Sequence, residues 1–197
     1  YEILKLLKEK RDYISGEEMA KHFGVSRTAV WKNITKLKNE GYNIKSVSNK
    51  GYFLEETNDI LNISEIEYDN TLFLETIDST NEECKRQAVK GKNDGLLVVC
   101  DYQSAGKGRL GRTWVAESHD NLCMSFLLYP DISPMKAPQL TLLTGMAVCE
   151  AIKEVTGLNA GIKWPNDILV NGKKVVGILT ELSAEIDCIK YVVVGIG

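Results

Sequence analysis

The sequence predicts an α/β protein in which a mixed sheet with helices follows an N-terminal winged helix-turn-helix domain. Three observations predict this fold class. Helical periods with capping signals fill residues 1–41, a short hairpin pattern follows at 44–54, and strand and helix patterns alternate from residue 72 onwards. A length of 197 residues is enough for one or two domains.

The amino-acid composition excludes several classes of protein. Hydrophobic residues make up 44% of the chain and charged residues 26%, a balance typical of soluble globular proteins rather than disordered or membrane-spanning ones. The five cysteines are widely spaced and form no CxxC pair, which indicates buried free thiols rather than a zinc site or a redox motif. Since no signal-peptide pattern is present, the expected location is the cytoplasm, without membrane contact.

The net charge of −3 is unevenly distributed along the chain. Residues 1–60 hold 11 basic and 9 acidic side chains, whereas residues 61–197 hold 13 basic and 18 acidic ones. Within residues 26–50, six basic residues occur with a single acidic one. A basic stretch in an otherwise acidic chain indicates a surface directed at an anionic partner such as nucleic acid.

The N-terminal region contains three predicted helices. An apolar stripe over residues 3–7 predicts the first, and Ser15 with Glu18 forms a capping-box pattern that starts the second, which ends at Gly24. Ser26 is expected to cap the third helix. Its inner face holds apolar residues at helical spacing, Val30, Ile34 and Leu37. Two short helices joined by a tight glycine turn predict a helix-turn-helix.

Two strand-like runs at 44–47 and 51–54 predict a β-hairpin that completes a winged helix. In such a domain the start of the recognition helix meets base edges, and nearby lysines meet phosphates. The residues expected to contact DNA lie at the start of this helix, on its outer face and at the hairpin tip: Ser26, Arg27, Thr28, Trp31, Lys32 and Lys50.

Two alternatives stay open for this region. It could be a small helical packing domain with a solvated basic face, and Trp31 could be a core or interface residue rather than a DNA contact. A polar, acidic segment at 55–67 is the predicted linker. It separates a DNA-binding domain at 1–58 from a second domain at 68–197.

The second domain alternates predicted strands with two predicted helices. Strands are expected at 72–77, 95–101, 122–128, 168–170, 175–181 and 189–194, and helices at 78–90 and 137–155. The longer helix is expected to pack through a stripe of apolar side chains, Leu140, Leu143, Ala147 and Ala151. Asn171-Gly172 is typical of a two-residue hairpin turn. Ser79 or Thr80 could cap the shorter helix, an ordinary role for such residues.

The most informative stretch is a glycine loop at 106–112, which carries Lys107, Arg109 and Arg112. Its spacing matches a dinucleotide-binding fingerprint, but the apolar helix that this fingerprint requires does not follow, and no Gly-Lys-Ser/Thr closes a P-loop. Glycines let backbone amides approach an oxyanion, and the three cations add charge. The loop therefore indicates a flexible binding segment for a phosphate or an acyl phosphate, with a basic surface turn as the alternative.

A second polar stretch, 163–167, follows an apolar run. Lys163 at its start would direct an ammonium group into a site, where it would hold a phosphate or carboxylate oxygen. Asn166 follows in a turn, where ordinary turn chemistry explains it equally well. The histidines, His22 and His119, have no Ser or Cys nucleophile at a suitable spacing. Neither a catalytic triad nor a metal site made by protein side chains is predicted.

In combination and in this order, the motifs resemble the biotin protein ligases. With the winged helix in front, they resemble the members that are both ligase and biotin-operon repressor. The resemblance spans the whole chain and rests on Asp78-Ser79-Thr80-Asn81, Gln103, the glycine loop with Trp114, and Lys163-Trp164-Pro165-Asn166-Asp167. It implies an α+β core with a mixed sheet like that of class II synthetases.

The resemblance implies a two-step reaction. Biotin and ATP, with Mg²⁺, form biotinyl-5′-AMP and pyrophosphate, and the biotinyl group then passes to a lysine of a biotin carboxyl carrier protein. It also implies that the adenylate is the corepressor, which drives formation of a homodimer and its binding to operator DNA.

The resemblance further implies a role for each matching residue. Biotin would be bound by hydroxyl, amide and loop residues: Ser79, Thr80, Asn81, Gln103, Lys107, Gly108, Arg109 and Lys163. The nucleotide would be bound by Arg112, Trp114 and Asn166. The catalytic groups would be Lys163, Arg109 and Arg112, since these cations would stabilise the charge that develops when two anions react.

Two departures from the family pattern bear on function. Family members continue beyond the equivalent of residue 197 with further core strands and a small β-barrel domain, so we expect the core to be truncated here. Lys107 stands where relatives commonly carry Arg, which keeps the charge but not the bidentate fork. Two other functions stay open, a DNA-binding biotin sensor with weak or no ligase activity and a related lipoate-type ligase.

Overall fold

The computed structural model describes residues 2–55, 61, 66–116 and 121–197. The chain divides into two compact units, 1–65 and 66–197, and each has a buried apolar core of its own. Most of the predicted linker at 55–67 lies outside the described residues. Among the helices within the described ranges, none is both long and apolar enough to cross a membrane.

The first unit consists of three helices followed by a β-hairpin. Its elements are α1 (Glu2–Lys10), α2 (Gly16–Phe23), α3 (Arg27–Asn39), β1 (Ile44–Val47) and β2 (Gly51–Leu54). The two strands pair antiparallel, with Ile44 opposite Leu54. Each helix contributes one apolar face to the core, where Leu4, Met19 and Val30 are at most 1% exposed. The predicted winged helix-turn-helix is confirmed.

Both predicted helix caps of this unit form. Ser15 Oγ accepts a hydrogen bond from Glu18 N at 3.0 Å, and Ser26 Oγ accepts one from Ala29 N at 3.1 Å. The Glu18 carboxylate, which a full capping box would direct back to the cap, forms an ion pair with Lys10. Each cap satisfies one backbone N–H that a helix leaves unpaired at its start.

The second unit is a seven-stranded mixed sheet with a helix on each face. Its elements are β3 (Thr71–Ile77), α4 (Thr80–Lys90), β4 (Leu96–Gln103), β5 (Cys123–Leu128), α5 (Ala137–Thr156), β6 (Ala160–Lys163), β7 (Asp167–Val170), β8 (Lys173–Ala184) and β9 (Ile189–Ile196). The strand order is β3-β4-β5-β9-β8-β7-β6. Strands β3 and β4 are parallel and joined by α4, whereas the other described pairs are antiparallel. The predicted α/β class with a mixed sheet is confirmed.

Successive residues of the central strands point to opposite faces of the sheet. On β9, Val193 packs with Cys84 of α4 and Leu127 of β5, whereas Val192 and Val194 belong to the core beneath α5. Both faces at the centre of the sheet are therefore covered. As a result, the first residues of α4 lie on the same face as the inward-pointing side chains of β5.

The packing of α5 differs from the prediction. Leu140 packs on the sheet as expected, but Leu143 is 59% exposed, and Ala147 and Ala151 are exposed as well. Besides Leu140, the side that meets the sheet carries three partly buried residues, Val148, Cys149 and Ile152. Apolar residues occur on most sides of this helix, so periodicity could not identify the buried side.

The five cysteines are unpaired thiols. Cys84, Cys100 and Cys123 are buried as expected, whereas Cys149 is partly exposed and Cys188 is exposed. Burial raises the pKa of the Cys84 thiol to about 12, so this thiol stays protonated and unreactive at neutral pH.

Candidate active site

A buried polar cluster lies where α4 begins against the sheet. Five polar side chains that are no more than 9% exposed meet there: Ser79, Thr80, Asn81, Gln103 and Ser125. Buried polar groups cost free energy unless they are hydrogen-bonded, and protein cores seldom concentrate them. Their concentration at one point therefore indicates a binding site rather than ordinary packing.

Hydrogen bonds fix the orientation of both amides in this cluster. Gln103 Oε1 accepts hydrogen bonds from Thr80 N at 2.8 Å and Thr80 Oγ1 at 3.1 Å. Ser125 Oγ lies 2.7 Å from Thr80 Oγ1 and 2.6 Å from Asn81 Oδ1. Asn81 Nδ2 donates to Glu181 Oε2 at 2.8 Å. A backbone N–H can only donate and a carboxylate can only accept, so neither amide can be reversed without losing a partner.

Ser79 and Thr80 do not cap α4 as predicted. Ser79 occupies the N-cap position but makes no side-chain capping hydrogen bond, and Thr80 is the first helical residue. The backbone N–H of Ser79 instead donates to Asp78 Oδ1 at 2.7 Å. Because a neighbouring carboxylate stabilises this turn, the two hydroxyl side chains are available to line a cavity.

The glycine loop folds into a compact turn beside this cluster. Gly108 N donates to Arg112 O at 2.7 Å, and Trp114 N donates to Gly106 O at 2.8 Å. Leu110 at its tip has a left-handed backbone (φ 58°) and is 90% exposed. A side chain at Gly106 would lie 2.5 Å from the Trp114 carbonyl oxygen, which explains the requirement for glycine there.

Two of the three loop cations are tied to neighbouring elements. Lys107 Nζ lies 2.7 Å from Glu82 Oε1 on α4. Arg109 Nη1 donates to Asn166 Oδ1, in the turn between β6 and β7, at 2.9 Å. Arg112 is exposed and does not line the cavity next to the loop. The loop is therefore held at two points, one on each side.

The cavity is enclosed by the loop, the start of α4, and residues of β8 and β9. Nine residues that the resemblance assigned to biotin or nucleotide line it: Ser79, Thr80, Asn81, Gln103, Lys107, Gly108, Arg109, Trp114 and Asn166. Its volume is about 60 Å³, whereas pockets that hold small molecules usually measure roughly 300–1,000 Å³. The loop therefore stands in a closed position, and a ligand of that size requires it to open.

Lys174, which the sequence patterns did not single out, also lines this cavity. Its Nζ lies 5.2 Å from the centre of the Trp114 ring and 2.8 Å from Asp167 Oδ1. The register between β7 and β8 shifts at Ile168 and Leu169, and such a bulge redirects side chains. The Lys174 side chain is 42% exposed. The hairpin turn was predictable from the sequence but the bulge was not, so nothing local distinguished Lys174 from other lysines near a turn.

Lys163 lies at the end of β6 and is exposed. It is outside the lining of the cavity, and its contact with a carboxylate or phosphate stays a prediction. The position of Asn166 is compatible with both a role in the site and a role in the turn. It lines the cavity, and its Nδ2 donates to Ile178 O at 3.1 Å, which stabilises the turn. The Trp164–Pro165 peptide bond in this turn is cis.

Trp114 forms one wall of the cavity and packs on two glycines, Gly177 within β8 and Gly197 directly after β9. A Cβ at Gly177 or Gly197 would lie 2.8 Å from the indole ring. Among the described residues, no group accepts a hydrogen bond from the buried Nε1 of Trp114.

The described ranges hold no group of three or more His, Cys, Asp or Glu side chains that could bind a metal ion. His119 lies outside those ranges. His22 meets the ring of Phe23 edge to face in the first unit, with ring centres 4.6 Å apart.

In the first unit, the residues predicted to contact DNA are all exposed: Ser26, Arg27, Thr28, Trp31, Lys32 and Lys50. Trp31 is 56% exposed, which excludes the alternative that it belongs to the core. Together with Arg27 and Thr28 it lines a groove whose opposite wall includes hairpin residues 46–49. The start of α3 and the hairpin thus form one concave surface.

Comparisons with known proteins cover both units. Residues 73–197 match the sequence profile of the Biotin/lipoate A/B protein ligase family, and residues 1–53 match that of the HTH domain. The bifunctional ligase/repressor BirA of Bacillus subtilis (strain 168) is 43% identical over 194 residues, which cover 94% of this chain and 60% of that protein. BirA of Escherichia coli (strain K12) is 31% identical over 190 residues, with 94% and 59% covered. The chain thus spans about 60% of the length of these relatives.

Solved structures agree with this assignment. Biotin protein ligase from Aquifex aeolicus, in complex with biotin and ATP, is 37% identical with a TM-score of 0.54, and the match covers 66% of this chain and 51% of that one. Biotin protein ligase from Leishmania major, in complex with biotinyl-5-AMP, is 31% identical with a TM-score of 0.57, covering 66% and 57%. The chain therefore belongs to the biotin/lipoate A/B protein ligase family, with a helix-turn-helix domain in front of the family domain.

Proposed function

We propose that the protein is a biotin protein ligase that also represses the transcription of biotin synthesis genes. It forms biotinyl-5′-AMP and pyrophosphate from biotin and ATP, and transfers the biotinyl group to a lysine of a biotin carboxyl carrier protein. The observation that carries the proposal is the glycine loop closed over a buried cluster of oriented amides and hydroxyls. The similarity to relatives named as ligase and repressor supports both activities.

The buried polar cluster is the proposed place of the biotin ureido ring. This ring is neutral and offers two N–H donors and a carbonyl acceptor, so it suits a pocket of fixed amides and hydroxyls better than a charged one. The proposed biotin ligands are Ser79, Thr80, Asn81, Gln103, Lys107, Gly108, Arg109 and Lys163. On the nucleotide side the proposed ligands are Arg112, Trp114 and Asn166.

Cations are needed because the first step brings two anions together. The biotin carboxylate attacks the α-phosphorus of ATP, and pyrophosphate leaves. Arg109, Arg112 and a lysine would offset the repulsion and stabilise the charge that develops in the transition state. We assign the lysine role first to Lys174, since it lines the closed cavity, and retain Lys163 as a second candidate. Mg²⁺ would enter with the phosphates of ATP and neutralise part of their charge.

The closed loop would protect the intermediate. A mixed anhydride of biotin and AMP is hydrolysed by water, and a closed site excludes water. Transfer requires the opposite state, because the amine of the carrier lysine must reach the biotinyl carbonyl, form an amide bond there and release AMP. The loop therefore has to be stable enough to close and weak enough to open within one catalytic cycle.

The repressor activity is proposed from the first unit. The groove between α3 and the hairpin would hold operator DNA, with Ser26, Arg27, Thr28, Trp31, Lys32 and Lys50 as contacts. The adenylate would act as corepressor on a homodimer. A cytoplasmic location, where carrier protein and operator occur together, belongs to the same proposal.

One experiment tests the ligase proposal. The intact protein is incubated with biotin, ATP and a carrier domain, and the mass of the carrier is followed together with formation of the adenylate. A mass increase equal to one biotinyl group is expected. If neither product forms, the protein is a DNA-binding sensor without ligase activity. If lipoate is transferred in preference to biotin, the lipoate-type alternative is correct.

A further inference from the structure

A chain of ion pairs connects the glycine loop to the buried polar cluster. Lys107 Nζ contacts Glu82 Oε1 at 2.7 Å, and Lys85 Nζ contacts the same oxygen at 2.8 Å. Lys85 Nζ also contacts Glu181 Oε1 at 2.8 Å. The other oxygen of Glu181 accepts the hydrogen bond from Asn81. Two carboxylates and two ammonium groups thus alternate between a residue of the loop and a residue of the cluster.

These ion pairs are less exposed to solvent than ordinary ion pairs on a protein surface. The side chains of Glu82 and Lys85 are 28% exposed and that of Glu181 is 31% exposed, while Lys107 is 50% exposed. Reduced access of solvent strengthens an ion pair relative to one in bulk water. Hydrogen bonds from Lys107 and Lys85 lower the pKa of Glu82, so its carboxylate stays charged at neutral pH.

We propose that Glu82 is a positioning residue, which holds Lys107 and with it the glycine loop closed across the cavity. This inference rests on the proposed function, because it assigns the loop to a site for biotin and its adenylate. The second contact, from Arg109 to Asn166, ties the loop on its other side. The closed position of the loop is therefore stabilised on both sides by the chain's own side chains.

Lys85 makes this arrangement reversible. When the loop opens and Lys107 leaves Glu82, Glu82 keeps its contact with Lys85. Opening therefore leaves no carboxylate without a cation, which would be costly in a partly buried position. Glu82 thus limits both the entry of ligand and the escape of the adenylate by holding the closed loop, while Lys85 allows the loop to open.

Cleavage of the loop by trypsin tests the closed state without any ligand. The intact protein and Glu82→Gln are digested briefly, and cleavage after Arg109 and Arg112 is quantified by mass spectrometry. We expect roughly two- to fivefold faster cleavage in the variant, the factor that a partly exposed ion pair contributes. About 1 M salt should accelerate cleavage of the wild-type loop but not of the variant, because salt screens the pair. Equal cleavage rates for the two proteins overturn the proposal.

The matched control is Glu83→Gln. Glu83 is on the same helix and pairs with Arg86 instead of a loop residue, so cleavage of the loop should be unchanged. Lys107→Met and the double variant Glu82→Gln/Lys107→Met complete a mutant cycle. If Glu82 acts through Lys107, the double variant is cleaved no faster than the more affected single variant. Additive effects show that Glu82 only stabilises α4, and they overturn the proposal.

Release of the adenylate separates this inference from the proposed function. Glu82→Gln should release preformed biotinyl-5′-AMP faster by the same factor as its loop is cleaved, and retention at the wild-type rate counts against Glu82. If the wild-type protein forms no adenylate, the ligase proposal fails. The cleavage data still decide the role of Glu82 in that case, because they need no ligand.

Discussion

At the scale of single residues, two lysines are candidates for the group that stabilises the reacting phosphate. Both side chains are exposed, but Lys174 lines the closed cavity, next to Trp114 and Asp167, whereas Lys163 lies outside its lining. An ammonium group stabilises a reacting phosphate only if it reaches it, and removal of one such group costs about 100- to 1,000-fold in rate. We expect Lys174→Met to lower adenylate formation by about 100-fold or more.

Pyrophosphate release in the first turnover measures this effect, with Lys163→Met as the matched variant. A larger loss in Lys163→Met than in Lys174→Met would return the role to Lys163 and show that the closed cavity is not the reactive arrangement. Thermal unfolding of both variants controls for loss of structure.

A second prediction at this scale concerns Asp78, next to the cluster. Hydrogen bonds from Arg86 hold the pKa of its carboxyl at about 2, below the ordinary value of about 3.9. Because the pKa is lower in the folded state, the stabilising contribution is complete above about pH 4 and is lost as the pH falls towards 2.

In Arg86→Gln, we expect the pKa of Asp78 to rise towards its ordinary value, and the stability difference from the wild type to shrink as the pH falls below about 4. Carbon-13 NMR of the Asp78 carboxyl measures the pKa, and urea unfolding measures the stability. A wild-type Asp78 that titrates near pH 4 contradicts this account.

The residue scale also shows where sequence reasoning ends. Ser79, Asn81 and Gln103 were assigned to the site through the family resemblance, and they line the cavity. Glu181 was not found, since it contacts Asn81 from a position 100 residues further along the chain. A contact at that separation leaves no local pattern, and an isolated glutamate on a strand resembles a solvated surface residue.

At the scale of elements, β9 and α4 are packed closely through a glycine. A Cβ at Gly195 would lie 2.2 Å from Asn81 Oδ1, and Asn81 is held by Ser125 and Glu181. Gly195→Ala should therefore destabilise the second unit by about 1–3 kcal/mol, as overpacking does, and weaken biotin binding. Urea unfolding and calorimetric titration with biotin measure the two effects.

Gly161→Ala is the control for this substitution. Gly161 is also on a strand, but a Cβ there meets no atom within 4 Å, so stability and biotin binding should stay close to those of the wild type. Equal behaviour of the two variants would mean that Asn81 can move without loss, and that the cluster is less rigid than its hydrogen bonds indicate.

Elements were predicted correctly where neighbouring residues in the sequence determine them. The prediction failed where the result depends on packing against another element. The turn at Asn171-Gly172 was predicted from the sequence, and both residues have the positive φ angles that it requires, 52° and 75°. The buried side of α5 was predicted wrongly, because a helix with apolar residues all round carries no information about which side meets the sheet.

At the scale of the whole molecule, charge is divided between the two units. The first sixty residues hold 11 basic and 9 acidic side chains, and the remainder holds 13 and 18. Phosphate contacts release counterions, so affinity for a duplex of random sequence should fall linearly with salt on logarithmic axes. We expect Lys50→Ala to reduce the slope by about one.

Fluorescence anisotropy at several salt concentrations measures the slope. The control, Lys190→Ala, removes a lysine of the second unit that pairs with Glu185, and it should leave the slope unchanged. If Lys190→Ala alters the slope and Lys50→Ala does not, DNA binds to a different surface.

The sequence by itself determined the winged helix, the glycine loop, the family to which the chain belongs, and the order of elements apart from strand β6, which was not predicted. These depend on periodicity, capping and turn signals, which act over a few residues, and on motifs in a fixed order. Only the tertiary structure decided the closed state of the loop, the place of Lys174 in the cavity and the link from Lys107 through Glu82 to Asn81. These features depend on a strand bulge and on contacts between segments that are distant in the sequence. The sequence gives the charge of each side chain, but the tertiary structure determines which other side chain it contacts.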